Sequence, residues 1–234
     1  MVAPMTPLRR GLAAVVAPAL SAALAAFSAA QPAGNETTAG ELVQALQHRY
    51  DSIKDFSADF MHQYEGGVLR KAIVERGHVL IKKPGKMRWE YSAPEKKLFV
   101  SDGVRIYSYI PEDKQVVVSP QPRDGETTAG ALFLAGKGNL TRDFTPSFIA
   151  NPKGTPLAAR SLKLIPKTPQ PEYEWLIFTV DPATLAIQGL LTRDAQGGES
   201  AFIFTNLKEN TGLADKEFAF SIPRGVDVVT DSSR

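Results

Sequence analysis

Two periodicities of apolar residues divide this chain. From Leu42 the spacing is helical: Leu42, Leu46, Tyr50 and Ile53 share one face, while Gln44, Gln47, Arg49 and Asp51 point away. Thr38 and Glu41 stand three apart just before that run, the form of a capping box, so the pattern predicts one amphipathic helix over 39–54. Beyond it the period falls to two. Phe56, Ala58 and Phe60 alternate with Ser57 and Asp59, and Met87, Trp89 and Tyr91 alternate with Arg88 and Glu90. Leu176, Phe178 and Val180 alternate with Ile177 and Thr179, and Phe202 and Phe204 with Ile203 and Thr205. Strands are expected at 56–65, 73–82, 86–92, 97–101, 104–110, 115–119, 160–165, 173–181, 186–193 and 200–207, with one more at 217–222.

Short turns separate these strands, notably Glu65-Gly66-Gly67, Asp102-Gly103, Pro111-Glu112-Asp113 and Gln196-Gly197-Gly198. Successive strands joined this way imply an antiparallel meander, not a βαβ fold. One long helix has to cover about eleven strands. A curved sheet with so little cover either closes on a filled core or leaves an apolar hollow suited to a lipid or acyl chain. Between Gly125 and Leu140 the alternation lapses, and Thr127-Thr128 would cap a short helix through Leu132, Phe133 and Leu134. That helix suits a movable flap and equally a corner of the core.

The N-terminus has the three parts of a secretory leader: Arg9-Arg10, an uncharged run over Gly11–Ala26, and small residues at Ser28-Ala29-Ala30. Cleavage after Ala30 would leave 31–234 as a single domain. The leader's only charges are Arg9 and Arg10, against 27 Lys plus Arg and 25 Asp plus Glu in the whole chain, so the mature protein is formally neutral. Neutrality argues against nucleic acid or an anionic membrane surface as the main partner. The chain has no cysteine, which excludes disulfides, a thiol nucleophile and a thiolate metal site. It also leaves no residue at which a lipoprotein leader would be lipidated, so the exported protein is expected to be released.

Enzyme signatures are missing: there is no G-x-S-x-G elbow, H-E-x-x-H pair, P-loop or complete G-x-G-x-x-G. His48, His62 and His78 are scattered over the helix and two strands, and Glu112-Asp113 sits in a turn. No cofactor is expected.

Five segments, in order, carry a family resemblance. They are Phe56-Ser57-Ala58-Asp59-Phe60, then Lys83-Pro84-Gly85-Lys86-Met87-Arg88-Trp89-Glu90-Tyr91, then Leu98-Phe99-Val100-Ser101-Asp102-Gly103. Leu162-Lys163-Leu164-Ile165-Pro166 and Phe218-Ala219-Phe220-Ser221-Ile222-Pro223-Arg224-Gly225-Val226-Asp227-Val228 follow. Together they resemble the periplasmic outer-membrane lipoprotein carrier family, LolA, over almost the whole mature length. The resemblance implies an incomplete antiparallel β-barrel, mainly β with some α, whose open side is lidded by helices over a hydrophobic cavity. It implies a monomeric periplasmic carrier, not an enzyme, that takes lipoproteins by their acyl chains from an inner-membrane ABC transporter to an outer-membrane receptor lipoprotein. Leu46, Tyr50, Ile53, Phe56, Phe60, Met87, Trp89, Leu98, Val100 and Phe178 would line the cavity. Helix 39–54 and Leu132, Phe133 and Leu134 would form the lid. The family carries a basic residue, typically arginine, before the proline as a latch to the lid; Lys83 stands there in this chain and lacks the planar five-donor fork.

Two other readings compete. One is a same-fold binder or sensor of another lipid-bearing ligand, such as a glycolipid or envelope-stress signal, separable by the identity of co-purified cargo. The other is a periplasmic hydrolase, which a point mutation abolishing activity on an ester, glycoside or peptide would reveal.

Overall fold

Thr38 and Glu41 start the first element as their spacing predicts. Glu41 N–H donates to Thr38 Oγ1 at 3.2 Å and Thr38 N–H to a Glu41 carboxylate oxygen at 2.7 Å, closing the capping box of helix α1, Ala39–Ser52. The computed structural model describes residues 37–66, 71–121, 134, 138–153, 155–170 and 173–230. The expected leader, and Leu132 and Phe133 of the expected lid, lie outside these. Helix α1 ends two residues before the sequence expectation because Ile53 turns to extended backbone while its N–H donates to the Tyr50 carbonyl.

Among the described residues twelve strands form one sheet: β1 Asp55–Gly66, β2 Lys71–Lys82, β3 Lys86–Ala93, β4 Lys97–Asp102, β5 Arg105–Ile110 and β6 Gln115–Pro120, then β7 Phe144–Ile149, β8 Arg160–Pro166, β9 Trp175–Val180, β10 Ile187–Arg193, β11 Glu199–Glu209 and β12 Asp227–Thr230. Their order is β12-β6-β5-β4-β3-β2-β1-β11-β10-β9-β8-β7. Every pairing is antiparallel except β12 on β6. β7 and β12 stand at opposite ends of that order, so the sheet is an unclosed barrel. Register shifts in β1 at Ser57/Asp59, beside Arg76/Gly77 and beside Ile187/Gly189 add the local twist that curls it. A one-turn helix α2, Leu140–Asp143, leads into β7.

Three elements depart from the sequence expectation. β7 lies outside the expected set; its Pro146 is accommodated because β7 is an edge strand, where a missing donor is tolerated. The alternation Phe218, Phe220, Ile222 does not make a strand. Asp215–Phe218 is a 3₁₀ turn that buries Phe218 against the outer side of β3 and β4, and Phe220 packs on Tyr107 and Tyr109 at 5.4 and 5.8 Å. β12 also lies beyond the predicted set. The chain's return after β11 is pinned by the buried carboxylate of Asp55, which accepts from Thr211 N at 2.8 Å and Gly212 N at 3.1 Å.

The main core lies on the concave face of the sheet, under α1. Leu42, Val43, Leu46 and Tyr50 of the helix meet Phe56, Ala58 and Phe60 of β1, Val79 and Ile81 of β2, and Met87 and Trp89 of β3. From the other side come Leu162, Leu164, Leu176, Phe178, Val180, Leu190 and Phe204.

Candidate functional site

The concave face is built by cross-strand pairs. Phe56 faces Ile81, Ala58 faces Val79, and Phe60 faces Gly77, so each inward position of β1 meets one of β2. Gly77 is required by this packing. A Cβ there would overlap the Glu90 carbonyl oxygen and lie 2.6 Å from Phe60 Cζ. The freed space lets the Phe60 ring meet Trp89 at 5.1 Å and Tyr91 at 4.9 Å, both edge-on.

Of the residues expected to line a cavity, Leu46, Tyr50, Ile53, Phe56, Phe60, Met87, Trp89 and Phe178 come together in this core. Leu98 and Val100 do not. β3 and β4 pair Trp89 with Phe99 and Met87 with Ser101, which puts Leu98 opposite Glu90 and Val100 opposite Arg88 on the convex face. The spacing of the hairpin fixes this register, and a one-residue error in reading it flips every side chain. Phe99 packs on the core instead. Val100, 0% exposed, belongs to a second apolar layer on the convex side with Phe218 and Val116.

Helix α1 closes the hollow and is held at its edge by polar contacts. Arg49 grips Glu209 of β11 with two bonds of 3.0 and 2.7 Å. Gln47, which the helical pattern placed on the outer face, is instead buried, and its Oε1 accepts from Leu140 N at 2.8 Å. Lys83 Nζ donates to the Tyr50 carbonyl and stands 3.3 Å from the centroid of the Tyr50 ring, while the Tyr50 hydroxyl donates to the Leu134 carbonyl. Leu134, the described residue of the expected lid trio, is buried in the core. Burial lowers Lys83 from the ordinary 10.5 to about 8 against the pull of Asp51 and Glu209. Burial, with a smaller contribution from Glu209, raises Tyr50 well above the usual phenol range. Beside these contacts a narrow crevice of about 20 Å³, partly open to solvent, runs between α1 and β11 and is lined by Leu46, Ile53, Phe56, Leu134, Phe204 and Leu207.

A polar cluster that the sequence did not suggest sits further along the concave face. His62 Nδ1 is 3.0 Å from Glu75 Oε2, His62 Nε2 is 2.8 Å from Ser200 Oγ, and Lys97 Nζ donates to Glu75 Oε1 at 2.7 Å. Phe202 stacks on the His62 ring at 4.1 Å. Burial lowers the His62 pKa. It works the other way on Glu75, whose pKa still falls because Lys97 and His62 bond its carboxylate. The Ser-His-Glu order resembles an acyl-transfer relay, but Ser200, the second residue of β11, is paired with Tyr64 on one side and Thr192 on the other, its backbone committed to the ladder and not to an oxyanion hole. Lys97 also neutralises the acid. The cluster works as a brace across β1, β2, β4 and β11. No group of three His, Asp or Glu able to hold a metal occurs among the described residues.

The family model for outer membrane lipoprotein carrier protein LolA matches residues 51–221, from the last turn of α1 past the 3₁₀ turn. This chain belongs to the LolA family. Among its relatives, an outer-membrane lipoprotein carrier protein from Chromohalobacter salexigens is 31% identical over 198 residues, covering 84% of this chain and 89% of that one. One from Nitrosomonas europaea is 32% identical over 164 residues, covering 70% and 75%. The crystal structure of a LolA superfamily protein from Nitrosomonas europaea aligns with TM-score 0.43 at 15% identity, over 79% of this chain and 99% of that one. LolA membership places the chain among periplasmic carriers, not enzymes.

Proposed function

We infer that this LolA-family protein binds the acyl chains of lipoproteins against its concave apolar face and carries them across the periplasm, from the inner membrane to the outer. The observation that carries this reading is the continuous apolar face under a helix fastened at its rim by a few polar contacts. Withdrawing α1 would expose Phe56, Phe60, Met87, Trp89 and Phe178 as one surface. An inner-membrane ABC transporter would load it and an outer-membrane receptor lipoprotein would unload it. Leu132, Phe133 and Leu134 would complete the lid, and Lys83 would be its latch.

Energetics favour such a closed empty state. Burying acyl chain releases about 0.8 kcal/mol per CH₂, so a dozen methylenes give about 10 kcal/mol. Two or three chains held on a preformed surface would approach the ceiling of non-covalent affinity and never leave. A face already filled by Leu42, Val43, Leu46 and Tyr50 offsets that gain, because these contacts must break first. The test is expression with a tagged lipoprotein, purification of this chain, and mass spectrometry of what it retains. Acylated lipoprotein that co-purifies, and is lost when its acylation site is removed, is expected. Retention of the non-acylated form alone would overturn the reading.

A further inference from the structure

Trp89 is 4% exposed on the concave face, and its indole Nε1 has no hydrogen-bond partner among the described residues. Around it stand the rings of Phe60 at 5.1 Å, Phe202 at 5.3 Å and Phe204 at 6.3 Å, none of which offers an acceptor in its plane. A buried donor left unpaired costs free energy that a purely apolar ring would avoid. The other buried polar side chains of this face are satisfied: Ser101 bonds the Gly85 carbonyl, Gln47 bonds Leu140, and Glu75 bonds His62 and Lys97. The unpaired Gln188 Oε1 belongs to the bulge in β10, beside a groove under Pro152 and Pro156, and lies outside this core.

We propose that Trp89 Nε1 is a hydrogen-bond subsite for the carbonyl oxygen that joins an acyl chain to its headgroup, so that the protein prefers ester- or amide-linked chains over ether-linked ones. This rests on the carrier reading and deepens it. A hydrocarbon tail has no acceptor to offer; the linking carbonyl is the part of an acylated ligand that does. Position supports the assignment. By strand register Trp89 is level with Val79 and Ala58; to one side of it the face runs through Met87, Ile81 and Phe56 toward the crevice beside α1, at which Arg49 and Glu209 also stand. On the other, Phe202 touches Trp89 and stacks on His62, where the Ser200-His62-Glu75-Lys97 cluster begins. Trp89 therefore stands at the apolar–polar border, where the linkage of a bound chain would fall with its tail toward α1.

The probes are a synthetic cysteine peptide bearing a dipalmitoylglyceryl group and its diether counterpart, which lacks both carbonyls. Affinity is measured for the wild type and for a variant with benzothienylalanine at position 89, which keeps the bicyclic shape and replaces N–H by sulfur. A Trp89→Phe variant is the second replacement. Wild type should bind the diester about fivefold tighter than the diether, and both replacements should bring the ratio to about one. In a Trp175→Phe background, Trp89 emission should shift with the diester and not with the diether. Equal affinities in the wild type, or a preference that persists without the N–H, would overturn the subsite and leave the carrier reading standing. Binding of neither peptide would overturn both.

Discussion

Arg49 and Glu209 decide how firmly α1 is held over the concave face, and a double-mutant cycle measures their coupling. Their two bonds are 3.0 and 2.7 Å, and the side chains retain only 25% and 23% of their exposure. Fully exposed ion pairs contribute about 0.2–1 kcal/mol. Removing one partner of a fully buried pair costs about 3–5 kcal/mol. A bidentate, mostly buried pair falls between, so coupling of about 1–2 kcal/mol is expected, a factor of about 5–30 in the ratio of closed to open helix. Hydrogen exchange reads this locally. In Arg49→Met and in Glu209→Gln the amides of α1 should exchange about 5–30 times faster, the double variant adding little, while central β1 amides change less. Additive single effects, or equal acceleration of α1 and β1, would refute the claim that this pair fastens a separately opening helix.

Lys83→Leu should shift α1 toward the open state by less than about 1 kcal/mol, because the lost bond to Tyr50 is offset by relief of a buried charge and Ile53 N–H still satisfies that carbonyl; lipoprotein pull-down and release assays matching wild type would reject a latch role. Lys83 sits at about 8 when closed and near 10.5 when exposed, so the open or unfolded state holds more protons between those values, and closed-state stability rises with pH across that window. Urea unfolding at pH 7.5 and 10 should show that rise in the wild type and not in Lys83→Leu. Gly77→Ala should destabilise by about 2–3 kcal/mol, since its Cβ meets the Glu90 backbone and Phe60; a melting temperature within a degree of wild type would contradict the packing. Val100→Ala should cost about 2 kcal/mol in stability but leave affinity for acylated peptide unchanged, and a selective loss of affinity would return Val100 to the concave face.

Residues whose role is set by local pattern were legible in the sequence. The capping box at Thr38 and Glu41, the helical stripe of Leu42, Leu46 and Tyr50, and the inward alternation of Phe56, Phe60, Met87 and Trp89 each follow from spacing alone. Features that depend on pairing were not. Leu98 and Val100, which the resemblance placed at the cavity, face outward because the β3–β4 hairpin register sets their parity, and that register cannot be counted from the sequence alone. Phe218 and Phe220 alternate like a strand but find their partners on the convex face of β3–β5, which no local signal reveals. The Arg49–Glu209 pair spans 160 positions, and the His62-Glu75-Lys97-Ser200 cluster draws on four strands. Long-range polar contacts leave no period behind.

The two kinds of contact on α1 divide the work of a carrier. Its apolar stripe supplies most of the closing energy, yet that energy is matched by any acyl chain that takes its place, so the stripe alone cannot distinguish empty from loaded. Arg49, Gln47 and Lys83 bond groups on β11, at the start of α2 and within the helix's own last turn, and an alkyl tail replaces none of these. With α1 as the proposed lid, loading would trade apolar contact for apolar contact and lose the polar rim, which would bias the protein toward giving its cargo up. Weakening the rim should therefore tighten cargo retention while loosening the empty lid, and Arg49→Met is expected to bind acylated peptide more tightly and release it more slowly than wild type. A variant that binds more weakly would mean that the rim holds the ligand and not the lid.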